Sequence, residues 1–483
     1  MTDQQWQDLT LGKAIKEIKA GHLHAKDILT ESISRVLKDQ KRSDTLNAVI
    51  SLHEEKALKQ IEALGSTINE TKFAGLPILA KSNMHFTDYP VDSCSKILEG
   101  YISPYTGGMG QKLLENGASI FGMSNMDEFA MGSSNETSVH GLVRNPINRE
   151  YTPGGSSGGS AAAVGGGLCL ASLGSDTGGS IRQPAACCGA VGLKPTYGRI
   201  SRYGLIAFSS SFDQIGPITR NCEDAALLLD GISGFDENDS TSLNLPPTNT
   251  FENLENSLKG KRIALPDQFF GEGVDSEILA EMDKIIDFFK KAGVTFDKVS
   301  LDHTEYGIAI YYVLSSAESS TNLSRFDGVR YGRRSPQATT LDQIYEQSRS
   351  QGFGREVKRR ILTGGYVLSS GYYDDYYMQA QRLRNCVQKE YLEVFEKFDM
   401  ILTPTMPYKV FKIGERIDDP IAMYLSDAFT VAANVTGLPA LSVPCASDSR
   451  GLPISFQLLA RPCAEDIILN AGHLYERENK KNK

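Results

Sequence analysis

Apolar residues recur at helical spacing near the start of the chain, at Ile15 and Ile18 and then at Ile28, Leu29, Ile33, Val36 and Leu37, with charged residues between them. The spacing predicts amphipathic helices between Thr10 and about Gln60. The pattern then changes. Short β-rich runs, Leu76 to Ala80 and Ala118 to Met123, alternate with helical segments such as Gly110 to Asn116, the order expected of an α/β layer fold. Farther along, Arg262 to Pro266 reads as a strand, Ser276 to Ala292 as a helix capped by Ser276, and Asp374 to Phe398 as a long helix leading into a strand at Met400 to Thr403. The polar stretch Phe235 to Leu258, with Asp-Glu-Asn-Asp-Ser and Pro246-Pro247, reads as a surface connection within one fold rather than a domain boundary. Arg333 to Gly352 is polar and reads as a candidate mobile stretch.

With 483 residues, 40% hydrophobic and 23% charged, the chain is long enough for a large core, and a soluble globular protein is expected. A formal net charge of −9 disfavours nonspecific attraction to nucleic-acid phosphates and points to small molecules or proteins as partners. The eight cysteines include no C-x-x-C pair, and Cys187 and Cys188 are adjacent. They read as reduced thiols, with neither a disulfide framework nor a metal site expected, which suits a cytoplasmic location. The first residues lack the character of a signal or transit peptide, and no apolar run approaches the roughly 20 residues of a membrane span.

Two serine-glycine runs carry the candidate chemistry. In the first, Gly154-Gly155-Ser156-Ser157-Gly158 matches the short G-x-S-x-G pattern of a nucleophile elbow. Only His303 and His473 lie well beyond it, neither in a motif-like setting, and each reads as an ordinary surface or core histidine. The run also lacks the Gly-Lys-Ser/Thr ending of a phosphate-binding loop. In the second, Ser180 follows Asp176-Thr177-Gly178-Gly179 and precedes Ile181-Arg182-Gln183-Pro184. Proline is tolerated in a first helical turn, which puts Ser180 at or near a helix N-terminus, where free N–H groups collect and can stabilise an oxyanion. A glycine-rich turn with a capping serine is the simpler alternative.

A serine hydroxyl needs a base, and a desolvated lysine can serve where histidine is absent. Lys81 ends the run Ala74-Gly-Leu-Pro-Ile-Leu-Ala80, so a strand would carry it inward, where burial favours the neutral amine.

Together these residues resemble the amidase signature family, whose centre is a Ser-cis-Ser-Lys triad. Lys81 in Gly75-Leu-Pro-Ile-Leu-Ala-Lys81 matches the family's lysine, Ser156 in Gly154-Gly-Ser-Ser-Gly-Gly-Ser160 its bridging serine, and Ser180 in Asp176-Thr-Gly-Gly-Ser180 its nucleophile. The resemblance implies that Lys81 is the base, Ser156 a proton relay on a cis peptide, and Ser180 the acylated residue, with N–H groups of Thr177, Gly178 and Gly179 as the oxyanion hole. It also implies a single α/β domain over residues 1–483, a central mixed sheet flanked by helices, with the helical portion 1–70 contributing to a partner-docking surface.

Longer blocks, Ser124 to Ser134, Ser319 to Tyr331, Val357 to Ile361 and Thr436 to Ala440, resemble the glutamine-hydrolysing subunits of tRNA-dependent amidotransferases within that family. That resemblance implies L-glutamine as substrate, with Arg360 on its carboxylate, Asp427 on its ammonium, and Tyr311, Met131, Gly132 and Ser133 nearby; Arg359 is an alternative to Arg360. It implies no cofactor in this chain, a B subunit that uses ATP and magnesium and holds misacylated tRNA, Glu-tRNA(Gln) or Asp-tRNA(Asn), and a small C subunit. Ser82 departs from the pattern, which often has aspartate there, and so does His140, where an apolar or aromatic residue is common. The rival readings are a stand-alone amidase for small or aryl amides and a catalytically silent scaffold protein.

Overall fold

The apolar runs in the middle of the chain become strands because residues that alternate along them can be buried on opposite sheet faces. In a computed structural model, which describes residues 2–481 except residue 256, these runs join one eleven-stranded sheet. Its strands are β1 (Val49–Leu52), β2 (Pro77–Lys81), β3 (Ser119–Ser124), β4 (Ala171–Asp176), β5 (Val191–Lys194), β6 (Gln214–Thr219), β7 (Arg262–Pro266), β8 (Thr295–Val299), β9 (Met400–Pro404), β10 (Ala440–Ser447) and β11 (Pro453–Ala460). The order across the sheet is β1-β3-β2-β4-β6-β5-β10-β11-β9-β7-β8. β2 is parallel to both β3 and β4, and β7 to both β8 and β9, whereas the strands between these groups pair antiparallel. The architecture is the expected α/β fold with a mixed sheet.

Neighbouring residues feed two cores. Ile263, Met400, Leu402, Leu441 and Leu458 belong to one buried cluster, and Ala264, Ile401, Ala440 and Leu459 to the other. The first cluster also takes in the N-terminal helices Leu11–Lys19 and Ala25–Gln40 through Ile15, Ile18, Ile28, Leu29, Ile33 and Val36. At the sheet's far edge β8 is largely exposed, as an edge strand with charged residues should be.

Several boundaries differ from the sequence reading. Asp275, not Ser276, caps the helix Ser276–Lys291, its carboxylate accepting the amide of Glu277 at 2.9 Å; an aspartate one residue earlier serves the same orphan N–H groups. The predicted helix over 374–398 opens instead as a wide π-type turn, Tyr373–Met378, before the regular helix Gln379–Val394; Tyr373 and Tyr377 stack across that turn at 5.1 Å. Within the polar stretch 333–352, Leu341–Gly352 is a helix capped by Thr340 and anchored by Arg349, which donates to the carbonyls of Leu323 and Phe326. The connection 235–258 lies against the body through the buried Leu254 and Leu258, and the sheet continues beyond it; Met1, Asn256, Asn482 and Lys483 lie outside the described residues.

Trp6 pins the start of the chain. It is the single tryptophan, fully buried, donating from Nε1 to the carbonyl of Gly167 at 2.6 Å between the guanidinium groups of Arg35 and Arg220. Trp6→Ala should cost about 3–5 kcal/mol, the usual loss for a fully buried large aromatic. Urea unfolding followed by far-ultraviolet circular dichroism measures it; a change under about 1 kcal/mol would show that the N-terminal helices are dispensable to the core.

Candidate active site

β2 ends at Lys81 and β4 at Asp176, and since the two strands are parallel neighbours, both ends open on the same rim of the sheet. Ligand sites of α/β sheets form at such rims. Lys81 is fully buried. Its Nζ donates to Ser156 Oγ at 2.8 Å, Ser157 Oγ at 2.8 Å and Ser175 Oγ at 2.9 Å. Burial pushes its pKa down to about 7, against the pull of the carboxylates of Asp127, Asp176 and Asp213. The Ser157 hydroxyl proton is held by the Ser175 carbonyl at 3.1 Å, which leaves Ser156 free to donate back to a neutral amine.

Ser156 sits just before the helix Gly158–Gly165, and the Gly155–Ser156 peptide is cis. Gly155 has no room for a side chain: a Cβ there would lie 2.1 Å from Asp127 Oδ2. Asp127 braces this loop, its amide donating to the Ser156 carbonyl at 3.1 Å and its carboxylate accepting the Asn135 amide at 2.9 Å and the Thr137 hydroxyl at 2.8 Å. The Ser157 amide donates to the Ser180 carbonyl at 3.1 Å, so the two serine runs are in direct contact. Ser180 Oγ makes no hydrogen bond among the described residues, and the residue is 7% exposed.

Asp176 and Arg182 shape the turn that carries Ser180. The helix Arg182–Cys188 begins two residues after the serine. The Asp176 carboxylate accepts the amides of Gly179 at 2.8 Å and Ile181 at 3.1 Å, and pairs with Arg182 Nε at 3.0 Å, both side chains fully buried. Burial would raise this acid, but the Arg182 guanidinium outweighs it and holds the pKa at about 2. One correction follows for the oxyanion hole. The Gly179 amide already has an acceptor, whereas those of Thr177, Gly178 and Ser180 have none among the described residues. Gly179 has another use, since with φ +137 and a Cβ position 2.0 Å from Thr430 Oγ1 only glycine fits there.

The structure brings the remaining predicted residues to the same turn. Tyr311 packs on Gly178, and Thr430 Oγ1 donates to the Gly178 carbonyl at 2.7 Å. One turn earlier, Asp427 is buried and accepts Ser133 Oγ at 2.9 Å and Tyr312 Oη at 3.2 Å; burial pushes its pKa up to about 7. Gln183 ties these parts together, donating to the Ser133 carbonyl at 3.1 Å and accepting the Gly155 amide at 2.9 Å. Met131 is buried in the same loop as Gly132 and Ser133.

Of the two arginines, Arg360 is the buried one, 4% exposed, while Arg359 is 31% exposed and pairs with Glu356. Arg360 lies over the rings of Tyr312 at 4.5 Å and Tyr424 at 4.9 Å, and its Nε donates to Glu356 at 2.7 Å. Its Nη1 is buried without a partner. The sequence reading missed Asp127, Arg182, Gln183, Asp213, Tyr312 and Thr430. Asp127, Arg182 and Gln183 lie within the motifs named above and Tyr312 adjoins the predicted Tyr311; Asp213, which accepts the Thr177 hydroxyl at 2.7 Å, and Thr430 left no local signal. His303 pairs with Glu390 and His473 with Glu255, and neither hydrogen-bonds Ser156 or Ser180 among the described residues.

A model of the family described as Amidase matches residues 31–469. The chain belongs to that family. It is 50% identical over 454 residues to a protein of Listeria welshimeri named as the A subunit of glutamyl-tRNA(Gln) amidotransferase, covering 94% of this chain and 93% of that one. It is 51% identical over 431 residues to a protein of the same name from Methylacidiphilum infernorum, covering 89% of this chain and 87% of that one. The crystal structure of the A subunit of glutamyl-tRNA(Gln) amidotransferase from Thermotoga maritima superposes with a TM-score of 0.80 at 37% identity, covering 99% of this chain and 96% of that one. The chain is thus an amidase-family enzyme similar along nearly its whole length to these subunits, as the longer sequence blocks led one to expect. Among the described residues no helix is long and apolar enough to cross a membrane.

The Lys81 surroundings set a pH dependence. Below about 7 the amine is protonated and cannot accept a proton, so kcat/KM for amide hydrolysis should rise roughly tenfold per pH unit and level off above about 7. Lys81→Ala should remove both the activity and this limb; a flat profile between pH 5 and 8 would rule out Lys81 as the base.

Proposed function

We propose that this chain hydrolyses L-glutamine to glutamate and ammonia and supplies the ammonia to a partner protein. The observation that carries the substrate is the buried Arg360, one guanidinium nitrogen unpartnered, together with the buried Asp427 beside the Ser180 turn. A simple amide would use neither charge, whereas an α-amino acid presents a carboxylate to the arginine fork and an ammonium to the aspartate. An ammonium bound to Asp427 also offsets the burial that raises its pKa.

In this reading neutral Lys81 withdraws the Ser156 proton as Ser156 takes the Ser180 proton, and Ser180 Oγ forms a bond to the side-chain amide carbon. The oxyanion is met by the free amides of Thr177, Gly178 and Ser180. The C–N bond then breaks, the proton returns through Ser156 to the leaving nitrogen, and ammonia departs. Water repeats the steps on the acyl-enzyme and releases glutamate. These steps call for no cofactor in this chain.

The names of the relatives support a place within a glutamyl-tRNA(Gln) amidotransferase. The wider proposal is that a B subunit uses ATP and magnesium to amidate Glu-tRNA(Gln) or Asp-tRNA(Asn) and that a small C subunit completes a cytoplasmic heterotrimer. The net charge of −9 fits a chain that leaves the tRNA to its partner. The helical portion within residues 1–70 is proposed as part of the docking surface.

The test is ammonia release from L-glutamine and from simple amides, by the chain purified with its companions. Ser180→Ala should abolish release from both. Arg360→Lys should raise KM for glutamine about 10–150-fold, the equivalent of one charged hydrogen bond worth 1.5–3 kcal/mol, while leaving simple amides nearly unchanged. Equal losses on both substrate classes would sink the glutamine assignment, and efficient turnover of simple amides by the lone chain would make it a stand-alone amidase.

A further inference from the structure

The two residues at which the sequence departs from the family pattern, Ser82 and His140, meet at one carboxylate. Ser82 Oγ donates to Asp92 Oδ1 at 2.9 Å, and His140 Nε2 lies 2.6 Å from Asp92 Oδ2. A third donor completes the group. Cys94 Sγ, the imidazole nitrogen of His140 and an Asp92 carboxylate oxygen all lie within 4.8 Å of one another. We propose that Asp92, Cys94 and His140 form a zinc site behind Lys81, contrary to the absence of metal ligands that the sequence spacing suggested.

The donor set argues for the ion. Thiolate, imidazole and one carboxylate are what zinc accepts, at about 2.0–2.3 Å from the metal, while magnesium and calcium take oxygen donors. A tetrahedron of that size sets its donors about 3.5 Å apart, a shift of roughly an ångström from the present spacing. The backbone already holds the three residues in place. The Val139 amide donates to the Cys94 carbonyl at 3.0 Å, Asn47 Nδ2 to the His140 carbonyl at 2.8 Å, and the Cys94 amide to Asp92 Oδ1 at 2.8 Å. Burial falls from the fully buried Cys94 through Asp92 at 16% side-chain exposure to His140 at 38%, so the group is reached from its His140 side. Binding forms a zinc–sulfur bond and releases the thiol proton to solvent. The bound ion would clip the 138–140 turn to the loop that follows Lys81.

The test uses the full-length reduced chain without an affinity tag and cobalt(II) as the probe. One equivalent should give a thiolate-to-cobalt charge-transfer band that zinc displaces stoichiometrically. Cys94→Ser should remove that band, which separates this site from the exposed Cys386 and Cys463. His140→Ala and Asp92→Asn, at positions not fully buried, should weaken zinc binding by more than about 100-fold with unchanged circular dichroism, beyond what losing an outer hydrogen-bond partner costs. Absence of the band, or zinc held equally well by His140→Ala, would overturn the site and leave Asp92 and His140 as a hydrogen-bonded pair.

Discussion

A buried ion pair holds the site together. Asp176 and Arg182 have fully buried side chains, and such a pair is unfavourable unless every remaining hydrogen-bonding position is filled. Here it is. Arg182 uses all five of its N–H groups, on both oxygens of Asp176, on the Thr430 carbonyl, on Gln457 and on Asn434. The pair therefore joins the end of β4, the helix Arg182–Cys188, the helix Val431–Thr436 and β11, which come from distant parts of the chain. Ser180 lies between the two charged residues, and its position follows from theirs.

The same rim gives equally buried groups different partners. Lys81 is surrounded by hydroxyls with no carboxylate in contact, so burial prevails and its pKa falls to about 7. Asp213 has hydrogen bonds but no cation in contact, and burial raises it to about 6. Asp176, with a guanidinium against it, stays at about 2. One low-dielectric region thus yields an amine that titrates near neutrality together with a permanent anion, because only one of the three groups has an ionic partner.

How much of this was legible in the sequence follows from how local each signal is. Lys81, Ser156 and Ser180 each stand in a short glycine-marked motif, and the chain brings those motifs onto one sheet rim. The α/β alternation was equally local, since apolar runs such as 76–80 and 118–123 announce buried strands. Arg182 was in plain view two residues after Ser180, yet its partners Asn434 and Gln457 lie more than 250 residues away, and no periodicity predicts such a contact. Whether Arg359 or Arg360 faces inward depended on the packing of a helix against tyrosines, again a tertiary fact. The misplaced cap at Ser276 had a different origin, because two adjacent capping residues compete and a sequence does not rank them. The Asp92, Cys94 and His140 group escaped notice because its third member comes from a separate loop.

The central claim is that Ser180, served by Ser156 and Lys81, carries the acyl group. Quenching the assembled enzyme during turnover of L-glutamine and locating the adduct by peptide mass spectrometry tests it most directly. The account predicts a γ-glutamyl ester on the peptide containing Ser180 and none on Ser156 or Ser157. Ammonia release with the ester on another residue, or with no covalent adduct under conditions that accumulate an acyl-enzyme, would contradict it.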